Sequence, residues 1–177
     1  PIVRQIRNRA AKDPKRVVFA DAENYKMLKA AEFVINENLA IPILLGNEYK
    51  IKTLIREHDL EIQYVEIIDP KSEKETGRRE QFAKILFKKR QRKGITMQNA
   101  LDHMHHRNYF APMLVETGFA DAMVSGLTNN YPETIRPAIQ VIGIKPNSDL
   151  VSGMYIILTK EGPLFFSDCT VNKNPTS

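Results

Sequence analysis

The sequence predicts an α/β fold in three layers, with a mostly parallel sheet flanked by helices. Short apolar runs, each about one strand long, alternate along the chain with segments whose apolar residues recur at helical spacing. Strands and helices that alternate in this way favour a parallel sheet with right-handed crossovers. The 177 residues, 42% of them hydrophobic, are enough to bury one sizeable core, so a disordered chain is not expected.

The first predicted element is a helix over residues 2 to about 12. Ile2, Ile6 and Ala10 recur at helical spacing, with basic residues between them. The pattern ends at Asp13, because a residue that precedes a proline is pushed out of the α region.

Strand and helix signals then alternate up to residue 93. The polar segment 21–24 supplies capping residues after the first strand, and Gly46 ends the second strand. A long helix closes this part with the basic run Lys88–Lys93, where cations suit the dipole of a last turn. The predicted elements are strands at 16–20, 41–45 and 65–69, and helices from the caps to about 38, over 47–58 and over 72–93.

The remaining elements are indicated mainly by caps and turns. Thr96 and Asn108 are predicted helix N-caps, and Gly118 closes the helix that follows Asn108. Pro132 suits the first turn of a later helix, where the N–H that proline lacks has no helical partner. The predicted elements are the helices after Thr96 and Asn108, a strand at 121–125, a helix at about 132–142, and strands at 151–158 and 164–166 on either side of a turn at 160–163.

Composition excludes several classes of protein. The longest apolar runs are about one strand long, far short of the roughly 18 residues that a membrane span needs. The first ten residues carry arginines within an amphipathic pattern, which is not typical of a signal peptide. A cytoplasmic location without a membrane partner is therefore expected. A single cysteine, Cys169, excludes an internal disulfide framework and a zinc cluster built on cysteines.

The net charge of +5, from 26 Lys and Arg against 21 Asp and Glu, suits weak nucleic-acid contact or an anionic metabolite. The basic run lacks interleaved aromatic residues for base stacking, so nucleic acid is not an expected partner. Residues 172–177 carry turn formers and no closing element, which favours a chain that is part of something longer.

The strongest candidate site lies at the end of the strand predicted at 121–125. Ser125, Gly126 and Thr128 lie at this end, and Arg136 lies one turn into the next helix. Ligands of parallel α/β sheets bind beyond the carboxyl ends of strands, where N–H groups and helix N-termini favour anions. Glycine lets the backbone approach a phosphate, hydroxyls donate to it, and arginine binds it with two hydrogen bonds. The alternative is a plain strand-ending turn and a solvated arginine.

Three further features have both a chemical and a structural interpretation. The run Lys88–Lys93 suits a phosphate site, a targeting signal or a solvated helix end. His103 and His106 share a helix face, but no third ligand is evident, so no metal site is predicted. Asp168 and Cys169 lie at a strand end, where an acid or a thiolate can serve catalysis, but a cysteine is more often a small buried hydrophobic residue, and no neighbour in the sequence lowers the pKa of Cys169.

A series of short motifs, in order along nearly the whole chain, resembles the phosphate acetyltransferases. Each motif is weak by itself, but a dozen in register is a specific signal. They are Asp13–Phe19, Leu28–Ala31, Pro42–Gly46, Ile68–Pro70, Arg90 with Lys93–Gly94, Met113–Val115 with Gly118, Ala120–Asp121, Val124–Gly126, Thr134–Pro137, Ile142–Gly143, Ser152–Gly153, Asp168 with Val171–Asn172, and Pro175–Thr176.

The resemblance implies a phosphotransacetylase-like (isocitrate dehydrogenase-like) fold of two subdomains. The first would span about 1–145, and 146–177 would be the truncated start of the second. The resemblance places coenzyme-binding arginines at Arg90 and Arg136 and lines the same cleft with Ser125 and Gly126. The family residues that act on the acyl group lie beyond the end of this chain, so no catalytic residue is assigned.

Two members of that superfamily compete. Arg107–Phe110, Asn130–Tyr131 and Ile142–Gly143 look more like the C-terminal domain of the bacterial NADP-dependent malic enzyme. In that enzyme a separate catalytic part converts malate to pyruvate with NADP and a divalent metal, Mg or Mn. Its phosphotransacetylase-like part is thought to sense acetyl-CoA and to hold the oligomer together.

The first hypothesis is therefore an acetyl-CoA-binding regulatory and oligomerisation domain of such a malic enzyme. The alternatives are a stand-alone phosphate acetyltransferase, which passes acetyl between coenzyme A and phosphate, and a non-catalytic dimerisation module. The expected ligand is coenzyme A or acetyl-CoA, and the expected assembly is a homo-oligomer.

Overall fold

A computed structural model describes residues 2–148, 150–168 and 170–172 of the chain. The strands and helices predicted from the sequence are present, with their ends shifted by a few residues. The helices are α1 Ile2–Lys12, α2 Tyr25–Asn36, α3 Glu48–Glu57, α4 Thr76–Arg90, α5 Met97–His103, α6 Arg107–Glu116 and α7 Tyr131–Val141, and the strands are β1 Lys15–Phe19, β2 Ala40–Leu45, β3 Glu66–Ile68, β4 Ala122–Val124, β5 Met154–Leu158 and β6 Pro163–Ser167.

The first four strands form one parallel sheet in the order β3-β2-β1-β4. Val18 at the centre of the sheet pairs with Ile43 of β2 on one side and with Met123 of β4 on the other. The chain therefore builds outward from β1 to β3 and then returns to add β4 at the opposite side of β1. The carboxyl ends of β1 and β4 flank the crevice that such a reversal creates, which is where open α/β sheets bind ligands.

Apolar residues on the two faces of this sheet form two separate cores. Val18 and Ile43 face a core shared with helices α4 to α7, whereas Phe19 and Leu44 face a core shared with α2 and α3. Neighbouring residues of a strand point to opposite faces, so a strand covered on both sides is a continuous apolar run. The predicted α/β architecture, with helices on both faces of a parallel sheet, is confirmed.

Local capping agrees with the sequence at most helix starts and differs at one. Thr96 caps α5 in a reciprocal capping box with Asn99, as predicted. The prediction of Asn108 as the N-cap of α6 is wrong, because the helix begins at Arg107 and His106 occupies the cap position without a side-chain hydrogen bond. The helix predicted over 72–93 is α4 with a short 3-10 turn at each end, Glu73–Glu75 and Gln91–Lys93.

Strands β5 and β6 form an antiparallel hairpin of their own, separate from the main sheet. Their large apolar side chains are 44% to 63% exposed. The predicted subdomain boundary near residue 145 falls between α7 and this hairpin, and it stays a prediction. No helix in the described ranges is long and apolar enough to cross a membrane.

A buried arginine stabilises the connection between β3 and α4, which lies at the carboxyl edge of the sheet. Arg79 is 8% exposed, and its Nη1 donates to the carbonyls of Pro70 at 2.7 Å and Ser72 at 2.6 Å. Its Nη2 donates to the Thr76 hydroxyl at 2.8 Å. The planar guanidinium thus closes the loop with three hydrogen bonds from one side chain.

Arg79→Lys is expected to lower the free energy of unfolding by about 1 to 3 kcal/mol, because one ammonium cannot reach all three acceptors and leaves some of them unsatisfied. Urea denaturation of the two proteins measures this difference. Arg56→Lys is the matched control, since Arg56 is exposed and its Nε donates only to a carbonyl of its own helix. Equal midpoints for the Arg79 variant and the wild type would contradict this account.

Candidate functional site

The carboxyl edge of the sheet is organised by one buried carboxylate. Asp21, 1% exposed, follows β1, and its Oδ2 accepts the N–H groups of Gly126 at 3.0 Å and Leu127 at 3.1 Å from the loop after β4. Its Oδ1 accepts the Thr128 hydroxyl at 2.6 Å and lies 3.3 Å from Nη2 of Arg107. The two sides of the crevice are therefore joined through Asp21.

This network bears directly on the anion loop predicted from the sequence. The N–H of Gly126 and the hydroxyl of Thr128 point to Asp21, so in this structure a carboxylate of the protein occupies the donors that were expected to face a phosphate. Gly126 has a φ of +108°, which side-chain-bearing residues rarely adopt. Ser125 has a buried Oγ without a hydrogen-bond partner among the described residues. Ligand contact by these residues stays a prediction.

Arg136 differs from the loop residues because its charge is available. It is exposed on α7 and makes no hydrogen bond or ion pair with another described residue. It borders a cleft of about 540 Å³ that is also lined by Tyr109 of α6 and Glu133 of α7. It also borders a second cleft of about 370 Å³, which reaches Thr170. A cation on the wall of an open cleft suits a phosphate group, as predicted for this residue.

Tyr109 lines the cleft beside Arg136, and its side chain is held on two sides. The Tyr109 hydroxyl donates to Oε1 of Gln140 at 2.6 Å, and its ring stacks on His103 with centroids 4.0 Å apart. Burial raises the pKa of Tyr109, although the charges of Arg136 and Arg90 oppose the rise, so the hydroxyl stays protonated at neutral pH. Burial, together with the neighbouring His106, lowers the pKa of His103. Both rings are therefore uncharged at neutral pH.

The basic run has a function that the sequence did not reveal. Arg90 donates Nε to the carbonyl of Gln140 at 2.7 Å and Nη2 to that of Ile139 at 2.6 Å. Lys89 donates to the carbonyl of Val141 at 2.8 Å and pairs with Glu116. These two residues of α4 thus cap the last turn of α7, whose carbonyls have no partner within their own helix. Contact of Arg90 with the coenzyme stays a prediction.

The other candidate residues are not brought together into a reactive group. Within the described ranges no cluster of three or more His, Cys, Asp or Glu residues could hold a metal. Asp168 accepts the N–H groups of Gly153 at 3.3 Å and Val171 at 3.0 Å, so it supports the backbone at the base of the hairpin. Cys169 lies outside the described residues, as do residues 175 and 176 of the last motif.

A pocket at the strand ends was missed by the sequence reasoning. We call it the strand-end pocket. It has a volume of about 400 Å³ and lies beyond the ends of β1, β2 and β3, beside the start of α6. Its lining includes Glu23, Asn47, Lys50, Asp69, Lys71 and Arg107. These lining residues are spread over 85 positions of the chain, so their proximity can be predicted only when the strand order is known. From the sequence, Asp21 was predicted only as part of a helix cap.

Comparison with known proteins agrees over the length of the chain. The sequence pattern described as phosphate acetyl/butaryl transferase matches residues 1–177. A phosphate acetyltransferase from Clostridium acetobutylicum is 36% identical over 174 residues, which are 95% of this chain and 51% of that protein. Another from Helicobacter pylori is 37% identical over 173 residues, or 98% of this chain and 33% of that protein.

Solved structures give the same result. A phosphotransacetylase from Streptococcus pyogenes has a TM-score of 0.84 at 27% identity, covering 97% of this chain and 52% of that one. The EutD phosphotransacetylase from Staphylococcus aureus has a TM-score of 0.82 at 28% identity, covering 96% and 50%. The chain thus spans about half the length of these structures and between a third and a half of the two sequence relatives.

Asp21→Asn is expected to lower the free energy of unfolding by about 3 kcal/mol. Whichever way the amide turns, its NH₂ group faces donors: either the N–H groups of Gly126 and Leu127, or the Thr128 hydroxyl and Arg107. Urea denaturation monitors the loss. Asp13→Asn, at an exposed ion pair with Lys15, serves as the control and should leave the midpoint almost unchanged. A variant of Asp21 as stable as that control would refute the bridging role.

Arg90→Ala is expected to lower the free energy of unfolding by about 1 to 3 kcal/mol, because it leaves two carbonyls of α7 without their charged donor. Thermal unfolding and calorimetric titration with coenzyme A should be run on the same samples. Lys88→Ala removes a cation of the same run that makes no hydrogen bond with another described residue. A variant of Arg90 with native stability and weakened coenzyme binding would instead favour the ligand role.

Proposed function

Because this chain belongs to the phosphate acetyl/butaryl transferase family, we propose that the protein that contains it transfers an acetyl group between coenzyme A and phosphate. Two relatives that match nearly the whole chain are named phosphate acetyltransferases. The chain corresponds to about half of the Clostridium protein, so the activity is proposed for the whole protein. This part would form one wall of the coenzyme site.

Arg136 is the observation in this chain that carries the proposal. It is an exposed cation beside two open clefts, and it forms no ion pair with a described acidic residue, although Glu133 lines one of the clefts. Pro132 at the start of α7 and Tyr109 on α6 supply apolar surface in the first of these clefts. A coenzyme combines phosphates with an extended, partly apolar arm, and this surface offers groups for both.

The loop after β4 would complete this wall. Ser125 keeps its hydroxyl inside the loop, and Gly126 brings the backbone close to the crevice without a side chain. Thr128 and Gly126 would serve through the shape that Asp21 imposes on the loop, because their donors are already engaged. Arg90 would bind the coenzyme at the C-terminal end of α7, where it also donates to the carbonyls of Gln140 and Ile139.

A second candidate is the acetyl-CoA-binding regulatory domain of an NADP-dependent malic enzyme. It is supported by the segment Arg107–Phe110, which resembles that version, and Arg107 donates to Thr128 at 2.6 Å beside the candidate wall. The relatives named above are phosphate acetyltransferases, so the first candidate is favoured. Malate-dependent reduction of NADP by the intact protein, with a rate that responds to acetyl-CoA, would favour the second. Loss of assembly on truncation, with no response to acetyl-CoA, would favour a dimerisation module.

The intact protein is expected to release coenzyme A from acetyl-CoA only when inorganic phosphate is added, as followed with a thiol reagent. Arg136→Ala is expected to weaken coenzyme A binding by about 1.5 to 3 kcal/mol, which is roughly a tenfold or larger rise in the dissociation constant measured by calorimetry. The reason is the loss of a charge-assisted hydrogen bond to a phosphate.

Arg56→Ala is the control, because it removes an exposed arginine of α3, which does not line the clefts at Arg136. It should leave both the release of coenzyme A and the dissociation constant unchanged. No phosphate-dependent release would exclude the proposed activity. Release with an unchanged affinity in Arg136→Ala would keep the activity and remove Arg136 from the site.

A further inference from the structure

We propose that the strand-end pocket binds a phosphate group and that Arg107, fixed by Asp21, is its principal anion-binding residue. The choice of phosphate among anions rests on the proposed function. The pocket lies at the carboxyl edge of the parallel sheet, and Asn129 of the loop after β4 is among its lining residues. It shares His106 and Asn108 with the cleft at Arg136, so the two are neighbours along α6.

The acidic residues of the pocket are already satisfied. Oε1 of Glu23 accepts the N–H of Asn47 at 2.8 Å, and its Oε2 accepts the Lys50 ammonium at 3.3 Å. Asp69 accepts the Asn47 amide at 3.2 Å through Oδ2 and the N–H of Lys71 at 2.9 Å through Oδ1. Each of the four carboxylate oxygens therefore has a donor. Their capacity to repel an incoming anion is reduced.

The ionisation of Glu23 is consistent with this local balance. Burial opposes the charged form, but the N–H of Asn47, the Lys50 ammonium and the charge of Arg107 together hold the pKa of Glu23 below its usual range. At His105, burial and the positive charges of Arg79 and Lys71 lower the pKa of the imidazole. The charge of Asp102 opposes this shift without reversing it, so the histidine is neutral at physiological pH.

Cationic groups of the pocket remain available. The ammonium of Lys71 makes no hydrogen bond or ion pair with another described residue. Nη2 of Arg107 donates to the Thr128 hydroxyl at 2.6 Å and lies 3.3 Å from Oδ1 of Asp21, whereas its Nε and Nη1 make no hydrogen bond within the described ranges. Nε–H and the Nη1 hydrogens do not form a parallel pair, so each of these two groups can donate a separate charge-assisted hydrogen bond to an anion.

Asp21 gives Arg107 a fixed position. The carboxylate side chain is fully buried, whereas the arginine side chain is 30% exposed and lines the pocket, so one end of the guanidinium is held by a buried partner. An arginine whose rotamer is fixed before binding loses less conformational entropy when an anion arrives. Asp21 is therefore a positioning residue, and Arg107 is the residue that contacts the ligand.

The test is titration of the intact protein with three probes: inorganic phosphate, coenzyme A and dephospho-coenzyme A, which lacks the 3′-phosphate. Arg107→Gln is expected to weaken the binding of one phosphate source about tenfold or more, because a charge-assisted hydrogen bond is lost. If the source is inorganic phosphate, that probe alone loses affinity. If the source is the 3′-phosphate, coenzyme A loses affinity and dephospho-coenzyme A does not.

Lys71→Gln separates binding from a purely structural effect of Arg107 on the loop after β4. Lys71 lies after β3, and its ammonium makes no hydrogen bond or ion pair with that loop among the described residues. It should weaken the same probe about threefold or more, whereas Arg56→Gln should change no affinity. Thermal unfolding of each variant verifies that it is folded.

Two results would overturn the proposal: affinities within twofold of the wild type for all probes in both pocket variants, or a loss in Arg107→Gln that Lys71→Gln does not share. The second would mean that Arg107 acts through the loop. A protein without acetyl transfer activity that still loses phosphate affinity in both variants would exclude the proposed function and leave the pocket in place.

Discussion

The arrangement of the loops at the carboxyl edge of the sheet depends on the carboxylate of Asp21. The sheet reverses its direction of growth at β1, so the ends of β1 and β4 lie side by side although they are about 105 residues apart in sequence. The backbone pairing of the two strands ends where the N–H of Ala20 donates to the carbonyl of Val124 at 3.0 Å. Beyond that point Asp21 joins the two loops by accepting the N–H groups of Gly126 and Leu127 and the hydroxyl of Thr128, and these donors compensate for the burial of its carboxylate.

The same contact decides which groups are free to meet a ligand. Donors of the β4 loop are turned inward, and Arg90 is used to cap α7, so two features that a motif would assign to phosphate serve the fold in this structure. Arg136 and the Nε and Nη1 groups of Arg107 remain. They belong to helices α7 and α6, on either side of β4 and its loop, and they border neighbouring cavities. The surface therefore offers two separate cationic positions instead of one basic patch.

The sequence predicted the order and type of the elements because each has a local cause. Buried strands such as β2 are continuous apolar runs, the stop at Asp13 follows from Pro14, and the cap at Thr96 needs only the three residues after it. The resemblance to phosphate acetyltransferases is supported over the whole chain. The site was predicted less well, because the roles of Asp21 and Arg107 depend on strand order. The capping of α7 by Lys89 and Arg90 likewise joins residues about 50 positions apart, which no local pattern encodes.

The hairpin β5–β6 has a consequence for the rate at which backbone amide hydrogens exchange with solvent. Among the described residues these two strands pair only with each other, and their apolar side chains, 44% to 63% exposed, bury little surface within this segment. In the 177-residue chain taken alone, their amide hydrogens will exchange with solvent through local opening at a free energy far below that of global unfolding. The amides of β1 and β2, covered on both faces, will exchange only when the whole sheet opens. One chain therefore carries two kinetic classes of backbone, divided at the end of α7.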